Sequence, residues 1–186
     1  MLYVVIAVVV LVVLGLLADA LFYNGLVKLR NKVEAAWAQI DVQLTRRAEL
    51  IPNLVETVKG YAAHEKETLD AVIRARNSAL QADSPHDKAE AENVLTGALK
   101  SVFALSEAYP DLKANQNFAD LQETLTATED KIAYARQFYN DAVRSYNTKI
   151  QTVPTSIIAR IFNFTEREYF EAGGEAKGPV TVDFGA

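Results

Sequence analysis

The sequence contains no cysteine and only two histidines among its 186 residues. Without thiols the chain can form neither a disulfide framework nor a thiolate metal site, and His64 and His86 are too few for a histidine-rich metal centre. Glycine is also scarce, which favours helices over a β-sandwich or barrel. The net charge of −5 argues against a nucleic-acid binder, which usually has a basic face. We therefore expect an all-α protein with no metal, no cofactor and no nucleic-acid partner.

Motifs that carry catalysis are missing as well. The sequence has no glycine-rich phosphate loop, no Gly-x-Ser-x-Gly and no acidic cluster with the spacing of a calcium loop. His64-Glu65 resembles the start of a zinc-protease motif, but Thr68 stands where the second histidine ligand would be. We therefore predict that the protein is not an enzyme, and a hydrolase that uses His64 and Glu65 is the weakest alternative.

A long apolar run is found at the N-terminus, where residues 2–18 carry no charged side chain. A helix needs about 20 residues to cross the hydrocarbon core, and residues 1–23 supply them, with Phe22 and Tyr23 placed as interfacial aromatics. The alternative is a cleaved signal peptide, because residues 18–20 have the small-x-small form of a cleavage site. The basic n-region is missing, however, and the run is longer than a usual h-region. We therefore predict a transmembrane anchor over residues 1–23.

The charges that flank this segment predict its orientation. No basic side chain precedes it, whereas Lys28, Arg30 and Lys32 follow it closely. Because positively charged flanks remain in the cytoplasm, we expect the N-terminus outside and the body of the protein in the cytoplasm.

Residues 24–153 show apolar side chains at helical spacing and predict an antiparallel four-helix bundle that continues directly from the anchor. The first helix should run to Gly60 with a kink at Pro52. Two shorter helices should follow, before and after a turn at Ser84-Pro85. The side chains expected to face inward on these two helices are Leu69, Val72, Leu80, Val94, Ala98, Val102 and Leu105.

The fourth helix, expected from Asp111 to Val153, carries the clearest pattern. Six apolar or aromatic residues recur at intervals of seven, which indicates packing like that of a coiled coil. They are Phe118, Leu125, Ile132, Tyr139, Tyr146 and Val153. Since this helix should pair antiparallel with the first, its end should return to the membrane.

Residues 154–172 are therefore predicted to contain a short amphipathic helix in the membrane interface. The candidate membrane-interface residues are Phe22, Tyr23, Ile157, Ile158, Arg160, Ile161 and Phe162. The alternative is that the isoleucines cap the core of the bundle. The tail, residues 173–186, is expected to be flexible or to add as a strand to a neighbour.

Two polar sets interrupt the apolar helix faces. The first is Asp41, Arg46, Arg47 and Asn53, and the second is Arg136, Asn140, Arg144 and Asn147. One interpretation is that they form interhelical hydrogen bonds that fix the register of the bundle. The other is that they form contacts between protomers.

Several long runs resemble the LemA family, over nearly the whole chain to about Phe170. They are GLVKLRN (25–31), AWAQIDVQL (36–44), RRAELIPNLV (46–55), VKGYAAHE (58–65), YPDLKAN (109–115) and RQFYNDAVRSYN (136–147). The resemblance implies a protein of the bacterial inner or cell membrane with an N-terminal anchor and a helical body. It implies no enzymatic activity, and one branch of the family is associated with the formation of magnetosome membranes.

Two functional hypotheses follow. The first is a self-assembling scaffold that organises or shapes the bacterial membrane, because no flexible linker separates the anchor from the bundle. Its partners would be the lipid bilayer and further copies of the chain. The second is an adaptor that binds a membrane protease or a signalling protein through its helix faces or its C-terminal tail.

Overall fold

The computed structural model describes residues 1–171 of the chain (for Val12, the backbone alone), and this part is all-α with no strand, which confirms the predicted fold class. The predicted tail, residues 173–186, lies outside the described residues. The helices are α1 (Leu2–Lys59), α2 (Lys66–Gln81), α3 (Pro85–Ala108), α4 (Pro110–Lys113), α5 (Gln116–Gln151) and α6 (Thr155–Ile161).

The helices form two compact units, and the two longest helices, α1 and α5, contribute a segment to each. Unit 1 contains residues 1–42 and 133–168. Unit 2 contains residues 43–132 and 169–171.

In unit 1, α5 runs antiparallel to α1. The indole of Trp37 packs on the ring of Tyr139, with 5.4 Å between the centroids, whereas the earlier residue Tyr23 meets Phe162, which follows α5. The buried apolar residues of α1 and α5 in this unit are Leu26, Val33, Ala36, Ile40, Ala135, Tyr139, Ala142, Val143, Tyr146 and Ile150.

The N-terminal part of α1 has a different surface. Among the described helices, α1 is the one long and apolar enough to cross a membrane by length and composition, and its most apolar stretch is not buried in the protein. No break separates this stretch from the part of α1 that packs in unit 1. The helix therefore passes directly from an all-apolar surface to an amphipathic one.

Unit 2 has its own apolar core, built from the end of α1, from α2, α3 and α4, and from the start of α5. The rings of Phe103 and Phe118 meet edge to face, with 6.3 Å between their centroids. The large apolar side chains of this core are Ile51, Leu54, Val55, Val58, Leu69, Val72, Leu95, Leu99, Val102, Leu112, Phe118 and Leu125.

Polar side chains cap the helices where the chain turns. The hydroxyl of Ser84 accepts a hydrogen bond of 3.0 Å from the backbone N–H of Asp87, and Pro85 occupies the first turn of α3, as the sequence predicts. The last long helix begins at Gln116 and not at Asp111. The reason is Asn115, whose side-chain oxygen accepts from the N–H of Phe118 at 2.9 Å and so caps a new helix.

The predicted apolar seams are largely correct on the long helices. Five of the six heptad residues of α5 are buried, but Val153 is 80% exposed because α5 ends at Gln151. The prediction was wrong at Leu80 on α2 and at Val94 on α3, which are both exposed. Ala79 is buried on α2 instead, and the buried stripe of α3 consists of Ala89, Glu92, Leu95, Leu99, Val102 and Ser106.

Pro52 lies inside α1, and a residue of α2 compensates for the hydrogen bond that it removes. A proline has no N–H to donate to the carbonyl four residues earlier, which here belongs to Ala48. The Nε of Arg76 donates to that carbonyl oxygen at 2.7 Å. The bond satisfies a carbonyl that would otherwise lack its helical partner, and it joins α2 to α1.

This compensation can be tested by a double-mutant cycle. We expect Arg76→Met to reduce the stability of the full-length protein in detergent by about 1 kcal/mol, the usual net value of one hydrogen bond. In a Pro52→Ala background, the restored N–H of residue 52 satisfies the Ala48 carbonyl, so Arg76→Met should cost clearly less. Denaturant unfolding followed by circular dichroism measures both values. Equal costs in the two backgrounds would contradict this account.

Candidate functional site

A buried ionic cluster lies in unit 2 around Arg47. The residue is 1% exposed, and its guanidinium forms ion pairs with the carboxylates of Glu92 on α3 and Glu129 on α5. It also donates to the hydroxyl of Thr96 at 3.0 Å and to the backbone carbonyl of Glu92 at 3.3 Å. Arg47 thereby connects α1 to two other helices of the unit.

The cluster carries an energetic cost. Burial lowers the pKa of Arg47, and the negative charge of Glu129 opposes this effect. Within residues 1–171, the Nε of Arg47 and the side-chain oxygen of the nearby Gln43 have no hydrogen-bond partner. Buried ion pairs of this kind add little net stability, but they penalise every arrangement in which the charges are separated. We propose that the cluster acts as a register lock between the helices of unit 2.

The other polar residues predicted on α1 do not join this cluster. Arg46 is exposed, and Asn53 lies in a shallow open groove of unit 2 together with Asn117 and Asp120. Asp41 is half-buried and belongs to unit 1. Of the four predicted residues on α1, Arg47 is thus the one that is buried.

Sequence reasoning missed both partners of Arg47. A signal was present for Glu92, because it falls three residues before Leu95 and seven before Leu99, on their apolar stripe. A carboxylate within such a stripe calls for a basic partner on a facing helix. Glu129 carries no comparable signal, since its side chain is 45% exposed.

The register lock predicts a marked difference between two adjacent arginines. Arg47→Met leaves the buried carboxylate of Glu92 unpaired and should cost about 3 to 5 kcal/mol, whereas Arg46→Met should change stability by less than about 0.5 kcal/mol. Adding Glu92→Leu to Arg47→Met removes the unpaired charge and should recover most of the loss. Thermal unfolding of the full-length variants provides the measurement, and similar melting temperatures for the two single variants would disprove the lock.

In unit 1, Asn147 on α5 binds the backbone of a segment that follows α6. Its amide nitrogen donates to the carbonyl of Arg167 at 2.9 Å, and its amide oxygen accepts from the N–H of the same residue at 2.9 Å. We call residues 163–168 the strap. Because both hydrogen bonds are made with main-chain atoms, Asn147 holds the strap in a way that does not depend on the side chain of Arg167.

Further contacts fix the strap to both long helices of unit 1. The Tyr139 hydroxyl donates to the carbonyl of Glu168 at 2.9 Å, and Gln151 donates to the carboxylate of Glu166 at 2.7 Å. On α1, Glu34 pairs with Arg167 at 3.4 Å. Burial raises the pKa of Tyr139, and the charge of Arg167 works against this shift. The tyrosine therefore stays protonated at neutral pH and remains a donor.

The remaining residues of the second polar set are less buried than Asn147. Arg136 and Arg144 are exposed, and Arg144 pairs with Asp141 one turn away on the same helix at 3.2 Å. Asn140 is half-buried. Of this set, Asn147 is the buried member, and its side chain holds the strap.

Release of the strap should be measurable by proteolysis. Asn147→Leu keeps the branching and the number of side-chain heavy atoms but removes two hydrogen bonds, and the loss of about 1 to 3 kcal/mol should increase trypsin cleavage after Arg167 by about tenfold. Thr148→Ala, at the exposed neighbouring position of α5, is the matched control and should leave the rate unchanged. Mass spectrometry of timed digests gives both rates. If the two variants were cleaved equally fast, Asn147 would not hold the strap.

An aromatic cluster forms in unit 1 where the apolar part of α1 ends. The ring of Tyr23 lies 4.8 Å from that of Phe162 and 5.8 Å from that of Phe164, centroid to centroid. The guanidinium of Arg30 lies over the face of Phe164 at 5.5 Å, a favourable cation–π position. We call these four residues the collar.

A turn at Asn163 brings the two phenylalanines of the collar together. Asn163 has a positive φ of 55°. The N–H of Phe164 donates to the carbonyl of Ala159 at 2.8 Å, and that of Asn163 donates to the carbonyl of Arg160 at 3.4 Å. This is a Schellman motif, which ends α6 and reverses the chain. Asparagine tolerates the left-handed conformation better than other non-glycine residues.

The two faces of α6 have different environments. Thr155, Ile158 and Ala159 are buried. The opposite face is apolar but exposed: Ile157 is 56% exposed and Ile161 is 68% exposed. Thus one of the predicted isoleucines caps the core of unit 1, whereas the other two do not. Arg160, also among the predicted interface residues, is exposed beside them, and Phe22 is half-buried.

His64 and Glu65 do not form a metal site. The carboxylate of Glu65 accepts a hydrogen bond of 2.9 Å from the hydroxyl of Tyr109, and His64 is exposed. Among residues 1–171, no group of three histidine, aspartate or glutamate side chains could hold a metal ion.

Comparison with known proteins agrees with this helical architecture. The profile of the LemA family matches residues 36–184, well over half of the chain. The chain belongs to the LemA family. It is 28% identical over 153 residues to Protein LemA of Metamycoplasma hominis, an alignment that covers 80% of this chain and 68% of that protein.

Other relatives are magnetosome proteins. Magnetosome protein MamQ 2 of Paramagnetospirillum magneticum is 26% identical, over 92% of this chain and 73% of the relative. Magnetosome protein MamQ of Magnetospirillum gryphiswaldense is 24% identical, over 85% and 68% respectively. Together with the apolar part of α1, these relatives indicate a membrane-associated helical protein.

Proposed function

We propose that this LemA-family protein is a membrane-anchored scaffold that self-assembles and organises or shapes the bacterial inner membrane, without catalysis. Residues 1–23 cross the bilayer in this proposal, with the N-terminus outside and the helical body in the cytoplasm. Lys28, Arg30 and Lys32, which follow the apolar segment, support this orientation by the positive-inside rule.

One observation carries the proposal: α1 continues without a break from the apolar segment into the packed part of unit 1. An enzyme on a tether needs no particular angle to the membrane and tolerates a flexible linker. A scaffold must transmit force between lipid and protein or hold the protein at a defined angle to the membrane, and both require a stiff connection. The collar strengthens this connection, because Tyr23 and Arg30 on α1 hold the chain that follows α6.

The magnetosome proteins among the relatives add support from a second direction. Their name associates them with a membrane-bounded structure, and their similarity extends over 85% or more of this chain. A shared role in membrane organisation accounts for both the name and the rigid link between the apolar and the packed parts of α1.

Stiffness can be separated from length by two insertions of equal size after Asn24. A flexible insertion of about seven Gly and Ser residues breaks the helical link, whereas a helical insertion of the same length, rich in Ala, Glu and Lys, keeps it. Both insert the same number of residues between Tyr23 and the rest of the collar, and they differ in the stiffness of the inserted segment. We expect wild-type protein and the helical variant to form oligomers in lipid nanodiscs, and the flexible variant to lose ordered assembly in electron micrographs.

Two results would overturn the scaffold. A strictly monomeric wild-type protein over a wide concentration range, measured by mass photometry, would exclude self-assembly. Crosslinking in cells that recovered one foreign protein in stoichiometric amount, with few crosslinks between copies, would favour the adaptor that binds a membrane protease or a signalling partner.

A further inference from the structure

The exposed face of α6 and the residues beside its two ends form an apolar surface that the described residues leave largely uncovered. Four large side chains are at least half exposed there: Ile157 (56%) and Ile161 (68%) on the helix, and Val153 (80%) and Phe162 (54%) beside its ends. A cluster of this kind on a soluble surface would be costly, since burying each such side chain is worth about 1.5 to 3 kcal/mol. Something apolar is therefore expected to cover it.

The collar identifies what covers this face, because it fixes the depth of α6. If residues 1–23 cross the bilayer, about 20 residues at 1.5 Å each span the 30 Å of hydrocarbon, and Tyr23 lies at the boundary with the headgroups. The ring of Phe162 stacks on Tyr23 at 4.8 Å and must lie at the same depth. Phe162 is the C-terminal cap of α6, so the whole short helix is held close to this boundary.

We infer that α6 lies in the interface of the same bilayer that α1 enters, with Val153, Ile157, Ile161 and Phe162 inserted among the lipids. Ile158 and Ala159 face the opposite way, into unit 1, so that the helix joins protein core to lipid. Arg160 is exposed beside the inserted residues, where its long side chain reaches the phosphate groups. The protein then touches the membrane at two points, and its rotation about the axis of α1 is fixed.

The inference rests on the membrane anchoring in the proposed function but is independent of self-assembly. Trp37 is the only tryptophan of the chain, so a Trp37→Phe background frees the fluorescence signal for a new probe. Ile161→Trp places this probe on the exposed face of α6, and we call it the α6 probe. Tyr134→Trp gives the matched α5 probe, at a 75% exposed position in unit 1 that lies 17 residues, or about 25 Å, before the end of the helix.

Full-length protein is reconstituted into phosphatidylcholine vesicles that contain lipids brominated in the upper part of the acyl chain. We expect bromolipid to quench the fluorescence of the α6 probe several-fold more strongly than that of the α5 probe. Ile157→Glu, at an exposed position that needs no packing, should reduce the quenching of the α6 probe while the vesicles still carry the protein on flotation. Loss of flotation would count against the anchoring itself and not only against α6.

Two results would overturn the inference. The first is an α6 probe that remains unquenched and solvent-exposed although the vesicles float with the protein. This result would show that α6 does not contact the lipid. An α6 probe that was shielded from water yet unquenched, with shielding that increased with protein density, would assign the face to a second copy of the chain.

Discussion

The structure depends on one constraint: the surface of α1 must suit lipid over its first part and a protein core with water on the other side over its second part. Over its first part every described side chain up to Leu17 is exposed and nearly all are apolar, which suits lipid on all sides. From Leu26 onward the apolar residues form a single stripe, which suits a protein core on one side and water on the other. A continuous helix makes this change without a loop, because its backbone hydrogen bonds are satisfied within the helix in either solvent. The stiff connection that the proposed scaffold needs follows from that continuity.

Apolar stripes alone leave long helices free to slide by about two turns, since the seam repeats every seven residues. We propose that a buried polar side chain removes this freedom in unit 2. Arg47 in unit 2 finds two carboxylates in one register, and any shift would bury Glu92 without a partner. Asn147 in unit 1 acts differently, because it binds the N–H and the carbonyl of Arg167 and so holds the strap, which is not a helix. Of the eight polar residues for which the sequence suggested a register or protomer-contact role, Arg47 and Asn147 are the two that are buried, and the role itself stays a prediction.

The sequence predicted those parts of the fold that depend on local chemistry. The all-α class, the end of α1 at Gly60, the cap at Ser84 and five heptad positions of α5 all follow from helical period or from capping preferences. The errors occur where burial is decided by a distant element. On α2 the small Ala79 faces the core and the larger Leu80 does not, a choice that no period in so short a helix reveals. On α3 the burial of Glu92 was missed for a similar reason. A stripe is recognised by its apolar members, and its one charged member is explained only by Arg47, 45 residues earlier in the chain.

The strap and the collar were beyond sequence reasoning for a related reason. Asn147 and Tyr139 bind main-chain atoms of the strap, so no complementary pattern of side chains needs to exist in residues 163–168. The segment becomes recognisable only once Asn163 reverses the chain after α6 and directs it back along α5. That reversal also explains why α6 has two faces. The turn that returns the strap to unit 1 draws Ile158 and Ala159 into the core, and on a helix of seven residues Ile157 and Ile161 are then left facing outward, at the depth that Tyr23 sets.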